Sequence, residues 1–417
     1  MKISQKAKNA IYLGTICSIL YGIVYVARNV LGAGTPQMLE EGFTNEYIGM
    51  ISSAFFFFYA VGQLINGIIG DWIKAKHMLC WGLLLAGVAN FVFLFTVDSP
   101  MVAMLAYAMG GFFLSMIYAP MTKVIAESTS LEYAIRCSLG YTFTAFFGSP
   151  VAGILAATLT WQATISVSSA ALVAMAVITY ISFLFFERRG IVKYPQRTTR
   201  KKEEKSEKSE KGENPVRVLL RHGIVKFSLV SLLTGIIRTS VVFWLPTYFN
   251  QYLAFSAEKS ATLFTVVTLI ISPAAFVAVF LYEKVMRKNM HLSVFVYFLA
   301  SAVCFGLLFL AKQPILNICL ITLAIMTANC AASVLWSIYC NSLTETGLVS
   351  SATGFLDFLS YMAAATANIV FPFLIEKQNW PWDRVVLIWL GLMVVGVTIS
   401  LPWKKWMQTR NAKHAEP

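Results

Sequence analysis

The sequence predicts an all-α membrane protein with twelve transmembrane helices in two pseudo-symmetric six-helix bundles. Three observations carry this prediction: an apolar composition, twelve long apolar runs, and features that repeat between the two halves. Of the 417 residues, 58% are hydrophobic and 13% are charged, about half the charged share of soluble domains. Each run approaches or exceeds the roughly 20 residues that a bilayer helix needs. The runs cover about 11–35, 46–70, 78–97, 100–126, 136–160, 162–186, 224–251, 259–283, 291–311, 314–342, 348–375 and 383–403.

One hydrophilic stretch separates the first six runs from the last six. Its centre, residues 200–213, is a low-complexity series of lysine, glutamate and serine, a composition typical of disordered tethers. We therefore predict a six-helix bundle over 1–186, a cytoplasmic linker over 187–222, a second bundle over 223–403 and a cytoplasmic tail over 404–417. The first run is too long for a cleavable signal peptide and lacks a small-residue cleavage pattern.

The distribution of basic residues predicts the orientation. If the linker and both tails are cytoplasmic, 27 of the 33 lysines and arginines lie on that side. Two more lie within apolar runs, and only Lys259, Lys312, Lys377 and Arg384 lie on the opposite side of the membrane. This bias is the positive-inside pattern, so both termini are predicted to be cytoplasmic. The net charge of +13 follows from this topology and requires no nucleic-acid partner.

Two arginines inside apolar runs are the strongest functional candidates. Arg28 and Arg238 occupy matching places in the two halves, and each is followed eight residues later by a proline, Pro36 or Pro246. An arginine at the centre of a bilayer helix costs about 2.5–3.5 kcal/mol on insertion scales. Because this cost occurs at equivalent positions in both halves, we predict that the two arginines form an anion-binding site between the halves. The alternative is that both arginines tie helices together through carbonyl or carboxylate groups.

Polar side chains at helical spacing extend this candidate site. Tyr21, Tyr25 and Arg28 stand at i, i+4 and i+7 and so share one face of the first helix. The tyrosines could equally be packing residues. Asp357 could orient a hydroxyl or ammonium group of the substrate or carry a coupling proton, but it could also pair with Arg238 or bond a neighbouring helix. The further candidates from the other runs are Gln63, Thr144, Asn329, Trp336, Asp357 and Tyr361.

Motifs for other chemistries are missing from the sequence. No phosphate-binding loop of the Walker type occurs, and no nucleophile–base arrangement stands out. The seven cysteines lack metal or disulfide spacing, and the four histidines fall in loops, linker or tail. We therefore expect no enzyme activity, no metal and no cofactor.

The turn between the second and third runs carries a family resemblance. Its sequence, Gly67-Ile-Ile-Gly-Asp71-Trp-Ile-Lys74-Ala-Lys76, is similar to the loop between helices 2 and 3 of the major facilitator superfamily. Within that superfamily the chain most resembles the organophosphate:phosphate antiporter family. The anchors are Tyr25-x-x-Arg28 with Pro36, and Arg238 with Trp244-x-Pro246-x-Tyr248.

The resemblance has functional implications. It implies a monomeric transporter of the bacterial inner membrane that works by alternating access around a midplane site. The two arginines would grip the phosphate of a phosphate ester, which would be exchanged for inorganic phosphate.

Two departures from the family pattern keep alternatives open. Gln63 and Thr144 stand where glycerol-phosphate carriers have lysine and histidine, which leaves room for proton-coupled symport of a carboxylate or another organic anion. The anion:cation symporter family shares the Tyr-x-x-Arg pattern but has aspartate where this chain has Ala27. The antiporter family also includes sensors, so a transporter-like receptor of a phosphorylated metabolite is a third possibility. An exporter of lipophilic cations is disfavoured, since both arginines repel a cation.

Overall fold

A computed structural model describes residues 5–69, 73–192, 215–311, 313–343 and 349–401. Among these residues there is no β-strand, and twelve helices are long and apolar enough to cross a membrane. We number them spans 1 to 12. Their bounds are Gln5–Glu40, Asn45–Gly67, Ala75–Phe95, Pro100–Ser128, Glu132–Thr158, Trp161–Arg188, Ile224–Gln251, Ala257–Lys284, Met290–Leu310, Pro314–Tyr339, Ala352–Glu376 and Trp382–Ser400.

The predicted fold class is confirmed, although several spans are not single α-helices. Span 4 consists of Pro100–Leu114 and Tyr118–Ser128, span 5 of Leu131–Phe146 and Gly148–Thr158, and span 8 of Ala257–Ile271 and Ala274–Lys284. Span 9 ends in a 3₁₀ turn, Leu308–Leu310. Span 7 contains a π-helical turn, Ile236–Val241, and span 10 contains another, Leu335–Tyr339. Span 1 runs past Pro36 to Glu40, further than predicted, because a proline inside a bilayer helix is tolerated where neighbours satisfy the backbone.

The break in span 5 has a specific cause. Pro150 has no N–H, so the carbonyl of Phe146, four residues earlier, loses its helical donor. The Ser272 hydroxyl of span 8 donates to that carbonyl at 2.9 Å. The Thr265 hydroxyl, also on span 8, donates to the Pro150 carbonyl at 3.4 Å. At the break, these two hydrogen bonds join span 5 to span 8 and therefore the first half to the second.

Packing within each half follows one pattern. In the first half, span 1 packs on 5, span 2 on 4, and span 3 on 4 and 6; in the second half, span 7 packs on 11, span 8 on 10, and span 9 on 10 and 12. Between the halves, span 2 packs on 11, span 5 on 8, and span 1 on 7. Adding six to each number of the first half gives the second, so the two bundles are pseudo-symmetric.

The two ends of the molecule differ in how the halves meet. We call the end that carries the linker and both chain ends the linker side, and the opposite end the far side. On the far side, the Glu376 carboxylate accepts the backbone N–H groups of Asn45 and Glu46, the latter at 2.8 Å. These N–H groups begin span 2, where helical donors lack partners and the helix dipole favours negative charge. Lys377 pairs with Glu46 at 2.8 Å.

On the linker side, the hydrogen bonds and ion pairs between described residues lie within one half. Lys76 and Glu187 form an ion pair at 2.6 Å that joins spans 3 and 6 of the first half. Between described residues, no hydrogen bond links the two halves on this side; those that do lie at mid-membrane or on the far side. The structure is therefore closed on the far side. Asp71, the centre of the predicted linker and the predicted tail lie outside the described residues.

Candidate substrate-binding site

Arg28 lies at the interface between the two halves. It is 8% exposed, and its guanidinium donates to the Tyr361 hydroxyl of span 11 at 2.8 Å and to the Tyr59 hydroxyl of span 2 at 3.4 Å. Three aromatic faces surround the same group: the guanidinium carbon lies 4.8 Å from the Tyr25 ring centre, 4.6 Å from Tyr59 and 5.0 Å from Tyr361. These contacts hold the cation by its faces and leave the other N–H donors of its fork for an anion.

Arg238 stands on the π-helical turn of span 7, half-buried. Its guanidinium carbon lies 5.8 Å from the Trp336 ring centre, and Trp336 stands on the π-helical turn of span 10. No hydrogen bond joins Arg238 to another residue in the described part of the chain. A guanidinium with five donors and no protein acceptor at mid-membrane needs a ligand or water to satisfy it.

The two arginines share one neighbourhood. Arg238 lies near enough to Arg28, Tyr25, Tyr361 and Asp357 to interact with them electrostatically. Asp357 is half-buried and interacts with both arginines, but among the described residues no ion pair joins it to either one. The ion pair between Asp357 and Arg238, one of the alternatives considered for Asp357, is therefore not formed in this structure.

Aromatic residues continue from Arg28 along the first half. The Tyr21 ring centre lies 4.9 Å from Tyr25, 5.7 Å from Tyr118 and 5.5 Å from Tyr141. Tyr118 on span 4 is 38% exposed, whereas Tyr21 and Tyr141 are buried. The site thus combines two guanidinium groups with a row of phenol hydroxyls, and both are donors suited to an oxyanion.

Three predicted residues lie in other hydrogen-bond settings. The Thr144 hydroxyl donates to the Ser18 carbonyl at 2.7 Å, which ties span 5 to span 1. The Asn329 side chain donates to the Ile325 carbonyl of its own helix at 3.0 Å. Gln63 is half-buried and forms no hydrogen bond with the rest of the described chain. None of these hydrogen bonds involves Arg28 or Arg238.

The sequence analysis did not include Tyr59, Tyr118 and Tyr141, which lie beside the candidate site, among its candidate residues. Tyr59 lies in the run Phe55-Phe-Phe-Phe-Tyr59, where one aromatic residue looks like any other. One signal could have found it: Tyr59 and Gln63 stand at i and i+4, so they share one face of span 2. Tyr118 and Tyr141 precede polar positions of spans 4 and 5 and could have been found in the same way.

Gly148 allows span 5 to approach Tyr25. A Cβ added at Gly148 would lie 2.5 Å from the Tyr25 Cβ and 2.7 Å from its carbonyl carbon. We expect Gly148→Ala to displace Tyr25 from Arg28 at a cost of about 1–3 kcal/mol and so to raise the apparent KM of transport about tenfold. Uptake kinetics in proteoliposomes would measure it. Gly391→Ala is the matched control, because a Cβ there meets no atom within 4 Å; an equal KM for both variants would contradict this role.

Fold and site together define a class of protein. Two pseudo-symmetric bundles enclose paired cationic groups at mid-membrane, and in the described part of the chain the hydrogen bonds between the bundles lie at mid-membrane and on the far side; this is the organisation of a secondary transporter. Within the described ranges no group of three or more His, Cys, Asp or Glu side chains could hold a metal ion.

Comparison with known proteins gives the family. The profile of the Major Facilitator Superfamily matches residues 17–368. The chain belongs to the Major Facilitator Superfamily, and it is a multi-pass membrane protein and a secondary transporter. The chain is also similar to the solved structure of the D-xylose-proton symporter, with a TM-score of 0.71, 12% sequence identity, and coverage of 94% of this chain and 97% of that one.

Curated relatives differ in how much of the chain they match. The glycerol-3-phosphate transporter of Bacillus subtilis is 20% identical over 92% of this chain and 90% of its own length. The probable sulfoacetate transporter SauU of Cupriavidus necator is 23% identical over 96% of this chain and 95% of its own length. The membrane sensor protein UhpC of Salmonella typhimurium is 31% identical, but over only 22% of this chain and 21% of its own length.

Proposed function

We propose that this protein moves a small organic anion, a phosphate ester, across the cytoplasmic membrane in exchange for inorganic phosphate. One observation carries the proposal: Arg28 of the first half donates to the Tyr361 hydroxyl of the second, and Arg238 of the second half lies near enough to Arg28 and Asp357 to interact with them electrostatically. Guanidinium groups present a planar fork of donors that matches an oxyanion bidentately. The similarity to a glycerol-3-phosphate transporter over nearly the full chain supports a phosphorylated substrate.

In the proposed site, Arg28 and Arg238 bind the anionic head, and Tyr21, Tyr25 and Tyr361 line it. Tyr25 and Tyr361 already contact Arg28, so they fix the guanidinium plane. Trp336 covers one face of Arg238. Asn329 on span 10, Gln63 on span 2 and Thr144 on span 5 would form parts of the cavity wall around this site. Water bound at the arginines in the empty protein would be displaced by the anion.

A binding screen tests the proposed substrate class. Phosphate esters, sulfonates and carboxylates would be added to the purified protein and its melting temperature followed. A cognate ligand at 100 times its Kd stabilises the folded state by about 2.7 kcal/mol. We expect phosphate esters to stabilise the protein and matched neutral alcohols to leave it unchanged. If only carboxylates stabilised the protein, we would conclude that the substrate is a carboxylate and not a phosphate ester.

Asp357 provides a test of what binds beside the anionic head. With Asp357 ionised, the three charges leave a surplus of only one positive charge. The carboxylate could therefore accept a hydrogen bond from a hydroxyl or ammonium at the other end of the substrate, or carry a coupling proton. We expect Asp357→Asn to fold normally and to change substrate preference or the pH dependence of uptake. Uptake of substrate pairs differing in that group, measured across pH, would show it.

A control separates this effect from general damage. Asp383 accepts a hydrogen bond from Tyr252 at 2.6 Å on the far side, away from both arginines. Asp383→Asn should leave substrate preference and pH profile as in the wild type. Unchanged preference and pH profile in Asp357→Asn would reduce Asp357 to a structural residue.

Two alternative functions have specific support. Proton-coupled symport of a carboxylate or related organic anion is favoured by Asp357 beside the arginines, by Gln63 in place of a cation, and by the similarity to a probable sulfoacetate transporter. Sensing of a phosphorylated metabolite is favoured by the similarity of one segment to a membrane sensor protein. Uptake driven by an imposed pH gradient alone would indicate symport, and binding without any uptake would indicate a sensor.

A further inference from the structure

Span 11 contacts the surroundings of both arginines. The Tyr361 hydroxyl of this span accepts a hydrogen bond from Arg28 at 2.8 Å. About two turns nearer the far side, the Asn368 side-chain oxygen accepts a hydrogen bond from the Ser240 hydroxyl of span 7. Ser240 follows Arg238 by two residues on the same π-helical turn. One helix of the second half is therefore attached both to the first arginine and to the turn that carries the second.

The hydrogen bond between Ser240 and Asn368 is completely enclosed. Both residues are 0% exposed. The nitrogen of the same amide, Asn368 Nδ2, has no hydrogen-bond partner among the described residues. A buried amide N–H without an acceptor destabilises the state that contains it and calls for an explanation. An apolar side chain of similar size would fill the same space without this cost, so packing does not account for an asparagine here.

Asn368 also lies against the first half. A Cβ added at Gly49 of span 2 would lie 2.5 Å from the Asn368 carbonyl oxygen and 2.6 Å from the Pro372 Cγ. One turn away, the Ser53 hydroxyl of span 2 donates to the Ala365 carbonyl at 2.7 Å. We call this contact between spans 2 and 11 the span 2–11 seam. Because closely packed groups transmit displacement, a shift of span 11 at Asn368 must change the seam.

The π-helical turn of span 7 lies between two close contacts. Before the turn, a Cβ added at Gly235 would lie 2.5 Å from the Ser360 carbonyl oxygen of span 11. After the turn, the Phe243 carbonyl oxygen would lie 3.0 Å from a Cβ added at Gly32 of span 1. A π-helical turn accommodates one residue more than an α-helical turn, and such turns are frequent at functional sites. A rearrangement of span 7 is therefore confined to Ile236–Val241.

The two arginines differ in how firmly they are held. Arg28 stands on a regular α-helix and donates to two tyrosine hydroxyls. Arg238 stands on the π-helical turn, lies over the Trp336 ring and forms no hydrogen bond with another residue of the described chain. An anion held by Arg28 attracts the other guanidinium. Arg238 is therefore the arginine that moves towards the anion, and Ser240 moves with it because both belong to one turn.

We propose that Ser240 and Asn368 are positioning residues that couple anion binding at Arg238 to the span 2–11 seam. In the empty carrier, the π-helical turn and its hydrogen bond to Asn368 hold span 11 against Gly49. Anion binding shifts the turn, Asn368 follows Ser240, and span 11 is displaced from span 2. The coupling rests on the proposed function, because it requires an anion at Arg238. The arginines then determine how tightly the anion binds, and the Ser240–Asn368 pair determines how fast the loaded carrier opens.

Separate measurements of binding and exchange on the full-length protein would test the coupling, with inorganic phosphate as the probe. The Kd for phosphate is taken from the rise in melting temperature, and the exchange rate from entry of labelled phosphate into phosphate-loaded proteoliposomes. We expect Ser240→Ala and Asn368→Leu each to lower exchange about tenfold while the Kd changes less than about threefold. The double variant should be no slower than the slower single variant, because both break the same hydrogen bond. Ser240→Thr keeps the hydroxyl and should exchange within about threefold of the wild type.

Ser231 supplies the matched control. It is also 0% exposed, and its hydroxyl also joins span 7 to span 11, since it donates to the Leu356 carbonyl at 2.6 Å. It lies in the regular helix before the π-helical turn, so Ser231→Ala should exchange phosphate at nearly the wild-type rate. Amide hydrogen exchange of residues 45–55 reports on the seam itself. Phosphate should speed it about threefold in the wild type and in Ser231→Ala but leave it unchanged in Ser240→Ala.

The outcomes separate the coupling from the proposed function. Phosphate exchange at the wild-type rate in Ser240→Ala would overturn the coupling and leave the proposed function intact. Equal slowing in Ser231→Ala would assign the effect to packing between spans 7 and 11 and would also overturn it. A loss of phosphate affinity as large as the loss of exchange rate would place Ser240 at the anion site itself, contrary to the proposal. Wild-type protein that neither binds nor exchanges phosphate would reject the proposed phosphate exchange, and the coupling with it.

Discussion

Arg28→Lys and Arg238→Lys should each lower the rate of anion uptake about 100-fold although both keep the positive charge. Lysine offers one ammonium where arginine offers a planar fork. A hydrogen bond to a charged group contributes about 1.5–3 kcal/mol, and 2.7 kcal/mol corresponds to about 100-fold. Arg28→Lys also removes the donor to Tyr361 across the two halves. Uptake into proteoliposomes, normalised to inserted protein, measures the effect.

An exposed arginine supplies the matched control for these substitutions. Arg136 pairs with Glu132 on the same helix at 2.6 Å, and its side chain is 67% exposed. Arg136→Lys keeps the charge at a site where either cation can pair, so uptake should match the wild type. The assignment of the anion site would have to be withdrawn if both Arg28→Lys and Arg238→Lys retained full activity in correctly inserted protein.

Exchange of one anion for another should be far faster than net movement. In the empty carrier, reorientation brings two guanidinium groups together in a poorly hydrated space. At about 10 Å and an effective dielectric constant near 20, their repulsion is roughly 1.7 kcal/mol. A bound dianion cancels this repulsion and replaces lost hydration with charge-assisted hydrogen bonds. A ligand shifts a conformational equilibrium only by its differential affinity for the states. Because the dianion binds best where the two guanidinium groups come together, we expect the anion-bound carrier to change conformation faster than the empty one.

Counterflow measures this difference directly. Proteoliposomes loaded with unlabelled substrate or inorganic phosphate should take up labelled substrate at least tenfold faster than empty ones. Vesicles loaded with a neutral sugar at the same osmolarity are the control. If internal anion had no effect on the rate, obligatory exchange would be rejected. Uptake that followed an imposed pH gradient alone would favour a proton-coupled mechanism that uses Asp357.

Hydropathy and the internal repeat were enough to predict the fold, because a bilayer allows few solutions for an apolar chain of this length. The same repeat singled out Arg28 and Arg238, since a buried cation is costly wherever it occurs. What surrounds them was harder to predict. The π-helical turn that carries Arg238 has no signature in Gly235-Ile-Ile-Arg238, since a π turn depends on packing between spans and not on local propensity.

Tyr59 shows the second limit of sequence-based prediction. Its hydroxyl and ring contact Arg28 only because span 2 crosses span 1 at one register. Periodicity assigns a residue to a face of its helix, but the partner across the interface depends on how two helices cross. Thr144 illustrates the converse, since its polar character alone could not show that its hydroxyl donates to span 1 and joins two helices.

The polar contacts that join the two halves on the far side are individually weak. They include the Glu376 carboxylate that caps the start of span 2, the Glu40 carboxylate that accepts from the Ala257 N–H, and a partly exposed ion pair between Lys377 and Glu46. Hydrogen bonds to a charged group contribute about 1.5–3 kcal/mol each, and an exposed pair contributes about 0–1 kcal/mol. These polar contacts are therefore worth a few kcal/mol in total, which is comparable to the binding energy of a small anion. Binding of the cargo can compensate for their loss when the far side opens.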